Sequence, residues 1–466
     1  MATTHHDMGN TAAVAFTLRH EMETSLKRLA EKVGGNKSLT PTQKHTLDIF
    51  IAAYQAKLEQ VRKARATGHK KQFAIAGKQV LHSMPARICV VIRAMARAKT
   101  LKLSSDMMTE IMTRAKALSI WEPLTEAVIV NWVEKSKGGF RPIVSFGFMR
   151  TAQCLLLRDT LMAMDIDSRF DHTRKGSGGE RQLVQNVCKD IEQGLNWWWT
   201  PDIRNCFPSI RPGHLREFAI DRRIVQNVVY LPKCAKIVVA RKANASSIVK
   251  WLSPSTPDLP VTEANTVLHK LTVQTVRRGL IQGSVVTPLL ARALIGQVLE
   301  PVVSERDVRA HSYIDDLSVG ARTKGAIKAA QQVVTEKFAS LPAGKIELYD
   351  EKIHHAHSRR VQVLGYFLEP GNGHGGNPVH VKPGRKRIER FKSSLKRRLS
   401  GVDPDNAWTV AKKYWKAWFG SQQAWTKVPH YSADLSWCIT MAYVDDFLHG
   451  LPMGVMKVNV PPLNAG

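Results

Sequence analysis

The chain has 466 residues, 44% of them hydrophobic, enough to bury the cores of two or three domains. Its 68 lysines and arginines against 39 acids leave a net charge of +29, an excess that points to a polyanionic partner, nucleic acid first. No run approaches ~18 apolar residues, no apolar signal core opens the chain, and six scattered cysteines make no C-x-x-C pair. Membrane spans, zinc ribbons and disulfide frameworks are therefore not expected, and a reduced, cytoplasmic protein is.

The first 120 residues read as a basic, helical extension. Phe16, Met22, Leu26 and Leu29 recur at helical spacing between Ala12 and Val33, and Gly34-Gly35 ends the pattern. Thr40 before Pro41 opens a second helix, expected to reach about Gly68 through Leu47, Ile51, Tyr54, Leu58 and Val61. The cations of this region (Lys57, Arg62, Lys63, Arg65, Lys70, Lys71, Arg93, Arg97) suit either solvated faces or a face turned to nucleic acid.

From Ala127 the texture turns to β. Val128, Val130 and Trp132 alternate, Ser136-Lys137-Gly138-Gly139 makes a turn, and Phe140 to Phe146 returns. A helix over Met149–Met164 leads to a basic loop, Arg169 to Gly179, whose amides and cations suit phosphates unless it is a plain connection. Trp197 to Ile210 is the next strand signal and carries Asp202. Residues 221–270, with Pro232, Pro254, Pro257 and Pro260, read as an irregular insertion with little chemistry. A helix resumes at Leu289, another spans Ala326–Leu341, a strand covers Val361–Leu368, and Glu369–Asn377 marks a domain boundary.

The chemistry gathers on Tyr313-Ile314-Asp315-Asp316, where apolar flanks on both sides predict strand, tight turn, strand. Alone, these four residues are equally an exposed acidic turn; neighbouring carboxylates repel unless a cation lies between them. Nucleotidyl transfer uses two divalent cations ~4 Å apart, held by carboxylates of separate strands. A further acid on a neighbouring strand is then expected, and Asp202 fits, with the Ile203 carbonyl as an added ligand. Between them, Gly279-Leu280-Ile281-Gln282-Gly283 feeds a helix, a turn that lets backbone approach a ligand, with Gln282 able to bond a base or sugar edge.

In order, spacing and wording these segments resemble reverse transcriptases, especially the bacterial enzymes related to group II introns. The resemblance runs from about Leu124 to Leu368. It implies an α+β right-hand polymerase: a helical extension (1–120), fingers and an antiparallel palm (121–370, with the insertion), and a helical thumb with a Trp-rich end (376–466). It implies two Mg²⁺ ions, with Mn²⁺ as a substitute, on Asp202, Ile203, Asp315 and Asp316, deoxynucleoside triphosphates as substrates, an RNA template and a DNA product. Lys135 and Arg141 of the fingers hairpin would grip the triphosphate, Gln282, Gly283 and Tyr313 would shape the nucleotide pocket, and Lys352 would assist the leaving pyrophosphate. Phe207, five residues after Asp202, would exclude a ribose 2′-hydroxyl; as a lone aromatic at a strand end it would be core. Val363–Leu368, with Tyr366, would form the primer grip.

Lys382 to Leu399 reads as a thumb helix whose cations (Lys382, Arg385, Lys386, Arg387, Arg390, Lys392, Lys396, Arg397, Arg398) track nucleic acid while Ile388, Phe391 and Leu395 are buried. The aromatics beyond it, Trp408, Tyr414, Trp415, Trp418, Trp425 and Trp437, suit the stacking of bases, although such a cluster is more often core. A second Tyr-x-Asp-Asp, Tyr443 to Asp446, has helical spacing and reads as a solvated helix end. His354, His355 and His357 lack partners at ligand spacing. The wording at Thr287-Pro288 and the lack of nuclease, RNase H or protease motifs point to the stand-alone enzymes of antiphage defence, which use a structured non-coding RNA; an intron maturase is the alternative. No membrane partner is expected, and the oligomeric state is left open, a homo-oligomer included.

Overall fold

The computed structural model describes residues 8–33, 39–98, 101, 106–135, 138–174, 176–218, 220–242, 244–303, 307–349, 352–369, 379–421 and 429–453. Gly34-Gly35, Ser136-Lys137, Lys175, Trp425 and the boundary at 370–378 lie outside them. Along the chain the strands are β1 (Val128–Glu134), β2 (Phe140–Ser145), β3 (Trp197–Trp199), β4 (Asp202–Ile203), β5 (Ile237–Val239), β6 (Val308–Tyr313), β7 (Asp316–Ala321), β8 (Leu348–Tyr349), β9 (His354–His355), β10 (Val361–Val363), β11 (Tyr366–Glu369) and β12 (His380–Pro383). The chain divides into two discontinuous compact units.

The first unit takes Met1–Asp167, Asn205–Leu294 and Leu341–Ile346. Its helix Pro41–Ala66 starts where expected: Gln43 N–H donates to Thr40 Oγ1 (3.2 Å), Thr40 N–H donates to Gln43 Oε1 (2.9 Å), and Pro41 fills the first position. Leu47, Ile51, Tyr54, Leu58 and Val61 form its buried stripe. Arg93 corrects the expected basic surface. It is 1% exposed, with its guanidinium donating to Asp159 and to Glu21 (2.6 Å), while Tyr54 Oη donates to Asp159 (3.0 Å). Burial works to raise the Asp159 carboxyl, but Arg93 and Arg158 outweigh it and hold it at about 2.

The expected fingers hairpin forms, with the register Ile129↔Ser145 through Glu134↔Phe140. The supposed insertion is part of its architecture. β5 pairs parallel to β1 at Val128↔Ile237, and helices Ala245–Leu252 and Val261–Val276 cover Trp132, whose Nε1–H donates to Thr272 Oγ1 at 2.8 Å. This region is irregular in composition because its elements are short, and it is held by partners about a hundred residues away in sequence.

The second unit takes Ser168–Arg204, Ile295–Ser340 and Glu347–Gly466. Its central sheet has the order β8-β4-β7-β3-β9, with β6 paired to β7. Trp198 and Trp199, in its strand β3, are both buried; a Cβ on Gly320 would lie 2.6 Å from the Trp198 ring, so only glycine lets β7 cross there. The single strand expected at Val361–Leu368 is a hairpin instead, turning at Leu364 (φ 49°) and Gly365 (φ 80°), and β12 adds to its edge. The basic helix accordingly begins at Arg385, not at Lys382, which belongs to β12. Phe391, Leu395 and Leu399 are buried against helices Ala407–Ser421 and Pro429–Leu448, and Tyr414, Trp415 and Trp418 pack on that cluster. Asp445-Asp446 lies within the latter helix, but Asp446 is fully buried rather than solvated. Among the described residues no helix is long and apolar enough to cross a membrane; Cys89, Cys154, Cys188 and Cys206 are buried free thiols and Cys234 is exposed.

Candidate active site

Two adjacent strands bring the acids together. β6 and β7 pair from Val308↔Ala321 to Tyr313↔Asp316, leaving only Ile314 and Asp315 in the turn. On the other edge of β7, Asp202 of β4 is the register partner of Asp316. The chain thus sets Asp202 and Asp316 side by side with Asp315 at the neighbouring tip, all in one unit. Ile203 is buried beside them, opposite Leu348. Among the described residues no group of three or more His, Cys, Asp or Glu is assembled closely enough to hold an ion. The backbone therefore juxtaposes the donors, and their side chains would have to turn inward to share a ligand. An all-oxygen donor set of this kind has the chemistry of a Mg²⁺ site.

The tip is braced from outside the hairpin. The loop expected to be plain or phosphate-binding runs beside β6: Ser312 N–H donates to Phe170 O and His172 N–H to Ser312 O, each at 2.9 Å. Asp171, 2% exposed, accepts from Ile314 N–H at 2.6 Å. His172 Nε2 lies 3.2 Å from His311 Nδ1, and His311 Nε2 lies 2.7 Å from Asp190 Oδ2. Nothing in the sequence pattern marked these residues except a carboxylate and a histidine inside an otherwise cationic loop. Tyr313 is half-buried, and burial raises its phenol pKa, with Glu180 and Asp171 adding to the shift. Lys352 is exposed two residues before β9.

Tyr366 and Arg387 do not fit the expected nucleic-acid contacts. Tyr366 is 0% exposed, the Arg387 guanidinium lies 4.0 Å from its ring centre, and burial raises its phenol pKa. Arg387 donates to Leu364 O (2.7 Å from Nη2) and pairs with Glu180, so it staples the β10–β11 turn to helix Gly179–Glu192. Lys382 pairs with Glu369 at 2.7 Å and the Arg398 guanidinium lies 4.7 Å from the Tyr414 ring centre. Arg385, Lys386, Arg390 and Arg397 are exposed along the helix.

The first unit holds a second set. Val144 N–H donates to Gln282 O at 2.8 Å and Leu280 N–H to Phe207 O at 2.9 Å, so the glycine-rich turn is laid against β2 and against the Phe207 segment. Gly283 has φ 112°, and a Cβ there would fall 2.1 Å from Val144 O; one on Gly279 would fall 2.4 Å from Pro208 O. Gln282 Oε1 is buried without a hydrogen bond among the described residues. Phe207 is half-buried rather than core. Arg141 and Lys135 are exposed on the fingers hairpin, and Lys135 Nζ lies 5.6 Å from the centre of the Trp251 ring. Trp251, from the supposed insertion, also packs on Gly139 and so supports the hairpin tip; its role was not legible in sequence.

A family model described as reverse transcriptase (RNA-dependent DNA polymerase) matches residues 133–368. No curated protein matches the chain. Solved structures similar to it include a Sicinivirus 3Dpol RNA-dependent RNA polymerase, 12% identical, with 71% of this chain and 70% of that one covered and a TM-score of 0.37. Telomerase from Candida albicans, in complex with a fragment of telomeric RNA, is 8% identical with a TM-score of 0.29; 71% of this chain aligns with 62% of that one.

Proposed function

The chain belongs to the reverse transcriptase family and is an RNA-directed DNA polymerase, and on that premise we propose that Asp202, Asp315 and Asp316 form its metal-binding set. The observation that supports this most is the register of Asp202 with Asp316 beside the Tyr313 turn. Divalent cations bound there, Mg²⁺ or Mn²⁺, would lower the pKa of the primer 3′-hydroxyl and neutralise charge on the triphosphate. The residues of the chain do the positioning. Lys135 and Arg141 offer cations to the triphosphate, the buried Gln282 Oε1 offers an acceptor to the nucleotide, and the Phe207 ring limits room at the sugar's 2′ position. Lys352 offers a proton or charge to the departing pyrophosphate.

Primer extension on an RNA template tests this reading. Asp315→Ala should abolish extension with Mg²⁺, whereas Asp445→Ala, in the second Tyr-x-Asp-Asp, should spare it; the reverse would overturn the assignment. For the biological role we propose antiphage defence with a structured non-coding RNA as template. The charge of +29 supports a nucleic-acid partner. Sequencing the nucleic acid that co-purifies with the protein decides the role: a short structured RNA with its complementary DNA is expected, and an intron RNA would favour the maturase alternative.

A further inference from the structure

We propose that Asp171 is a positioning residue for polymerisation, setting the backbone of the Tyr313–Asp316 turn on which the metal-binding aspartates stand. The proposal rests on the metal-site reading above. Asp171 is 143 residues from Ile314 in sequence, yet its Oδ2 accepts the Ile314 N–H at 2.6 Å and lies 3.4 Å from Ser312 Oγ. Its Oδ1 accepts from Thr173 N–H at 2.7 Å and from the Thr173 hydroxyl. One carboxylate thus ties its own loop with one oxygen and the catalytic turn with the other.

The turn requires such a tie. Ile314 is a β-branched residue at φ 59°, a conformation that normally selects glycine, asparagine or aspartate. As the first of two turn residues it lies between the paired Tyr313 and Asp316. Its amide would otherwise be an unpaired donor in a half-buried site. Because Asp315 follows directly, a change in the Ile314 backbone re-aims the Asp315 carboxylate and moves Asp316 in its pairing with Asp202. Strain at the tip is held by the surrounding structure, which is how such conformations persist at functional sites. Asparagine cannot replace the carboxylate: it has one acceptor oxygen, so its amide nitrogen would face a donor on one side or the other.

The test uses the full chain with Asp171→Asn and Asp171→Ala, each first shown to melt cooperatively. Hydrogen exchange in the metal-free protein should speed up in the peptide spanning residues 313–316 and remain unchanged over β3. In primer extension, the Mg²⁺ concentration for half-maximal rate should rise and kcat should fall by roughly 10–100-fold, the effect typical of losing an outer partner of a metal ligand. The KM for the nucleotide should change by less than about threefold, since ground-state binding is untouched. Thr173→Ala, which removes the hydroxyl that donates to Asp171 Oδ1 and keeps the Ile314 partner, should alter neither exchange at 313–316 nor the Mg²⁺ requirement. Unchanged exchange together with an unchanged Mg²⁺ requirement in Asp171→Asn would overturn the proposal. Loss of folding in both Asp171 variants would do so too, assigning Asp171 to the sheet's architecture. If the wild type fails to extend any RNA-templated primer, the metal-site reading falls, while the exchange measurement still judges the anchor.

Discussion

Gly283 has room for no side chain, because Val144 O occupies the place of a Cβ and the backbone is at φ 112°. Gly283→Ala must therefore push the turn off β2 or hold a conformation that costs on the order of 1–3 kcal/mol for a residue with a Cβ. Either outcome moves Gln282, whose carbonyl is bonded to Val144 N–H and whose side-chain oxygen is buried. The variant is expected to raise the KM for deoxynucleotides at least tenfold, which steady-state primer extension measures. Its melting temperature should fall less than that of Arg93→Ala, which would leave Asp159 charged, fully buried and short of its closest cation. Charge alone would have assigned these residues otherwise: Arg93 looked like a surface cation, and Asp159 had no visible role.

The element that decides the geometry is the Phe170–His172 segment, which pairs with Ser312 on the free edge of β6. His172 is 8% exposed; burial lowers its pKa, and His311 adds to the shift. Folding therefore holds it neutral, while the unfolded chain takes up a proton below about pH 6.5. A depressed histidine contributes stability that is fully present above that pH and lost as pH falls through the folded value. The unfolding free energy should drop as the pH falls below about 6.5, and His172→Gln should flatten that part of the profile. His214 is also lowered by burial, so some slope should persist in the variant. Urea titrations across pH measure it, and a profile identical to wild type would dismiss the His172–His311–Asp190 brace as a pH-sensitive element.

Legibility followed the range of the interactions. The helix start at Thr40-Pro41, the β1–β2 hairpin and the Tyr313 turn depend on neighbours a few residues away, so spacing alone located them. The placing of Asp202 beside Asp316 was legible because a further acid was expected on a neighbouring strand, and β4 carries it there. β5, Trp251 and the Phe170–His172 brace depend on partners about a hundred residues distant, which periodicity does not register. Tyr366 and Arg387 misled for the opposite reason. A cation and an aromatic in a basic segment resemble a nucleic-acid contact until the Leu364-Gly365 turn folds them onto each other and onto Glu180.

At the scale of the whole molecule, the net charge of +29 is a distribution, and only part of it faces solvent. Arg387 and Arg93 are committed to Glu180 and the Asp159–Glu21 pair, so they brace the fold. Arg385, Lys386, Arg390 and Arg397 are exposed on the helix whose other face is buried at Phe391, Leu395 and Leu399. The two groups should separate in a salt titration. Binding of a template–primer duplex releases counterions, and each phosphate neutralised adds about 0.7–0.9 to the slope of log K against log salt. Replacing Arg385, Lys386, Arg390 and Arg397 together by Gln should reduce that slope by about 3 and leave the melting temperature within a few degrees. Arg387→Gln should do the reverse, lowering the melting temperature while changing the slope by less than about 1. Fluorescence anisotropy of a labelled RNA–DNA duplex between low and high salt supplies the slopes. Equal slopes for wild type and the fourfold variant would remove this helix from the nucleic-acid surface and leave the polyanion to the other basic faces of the chain.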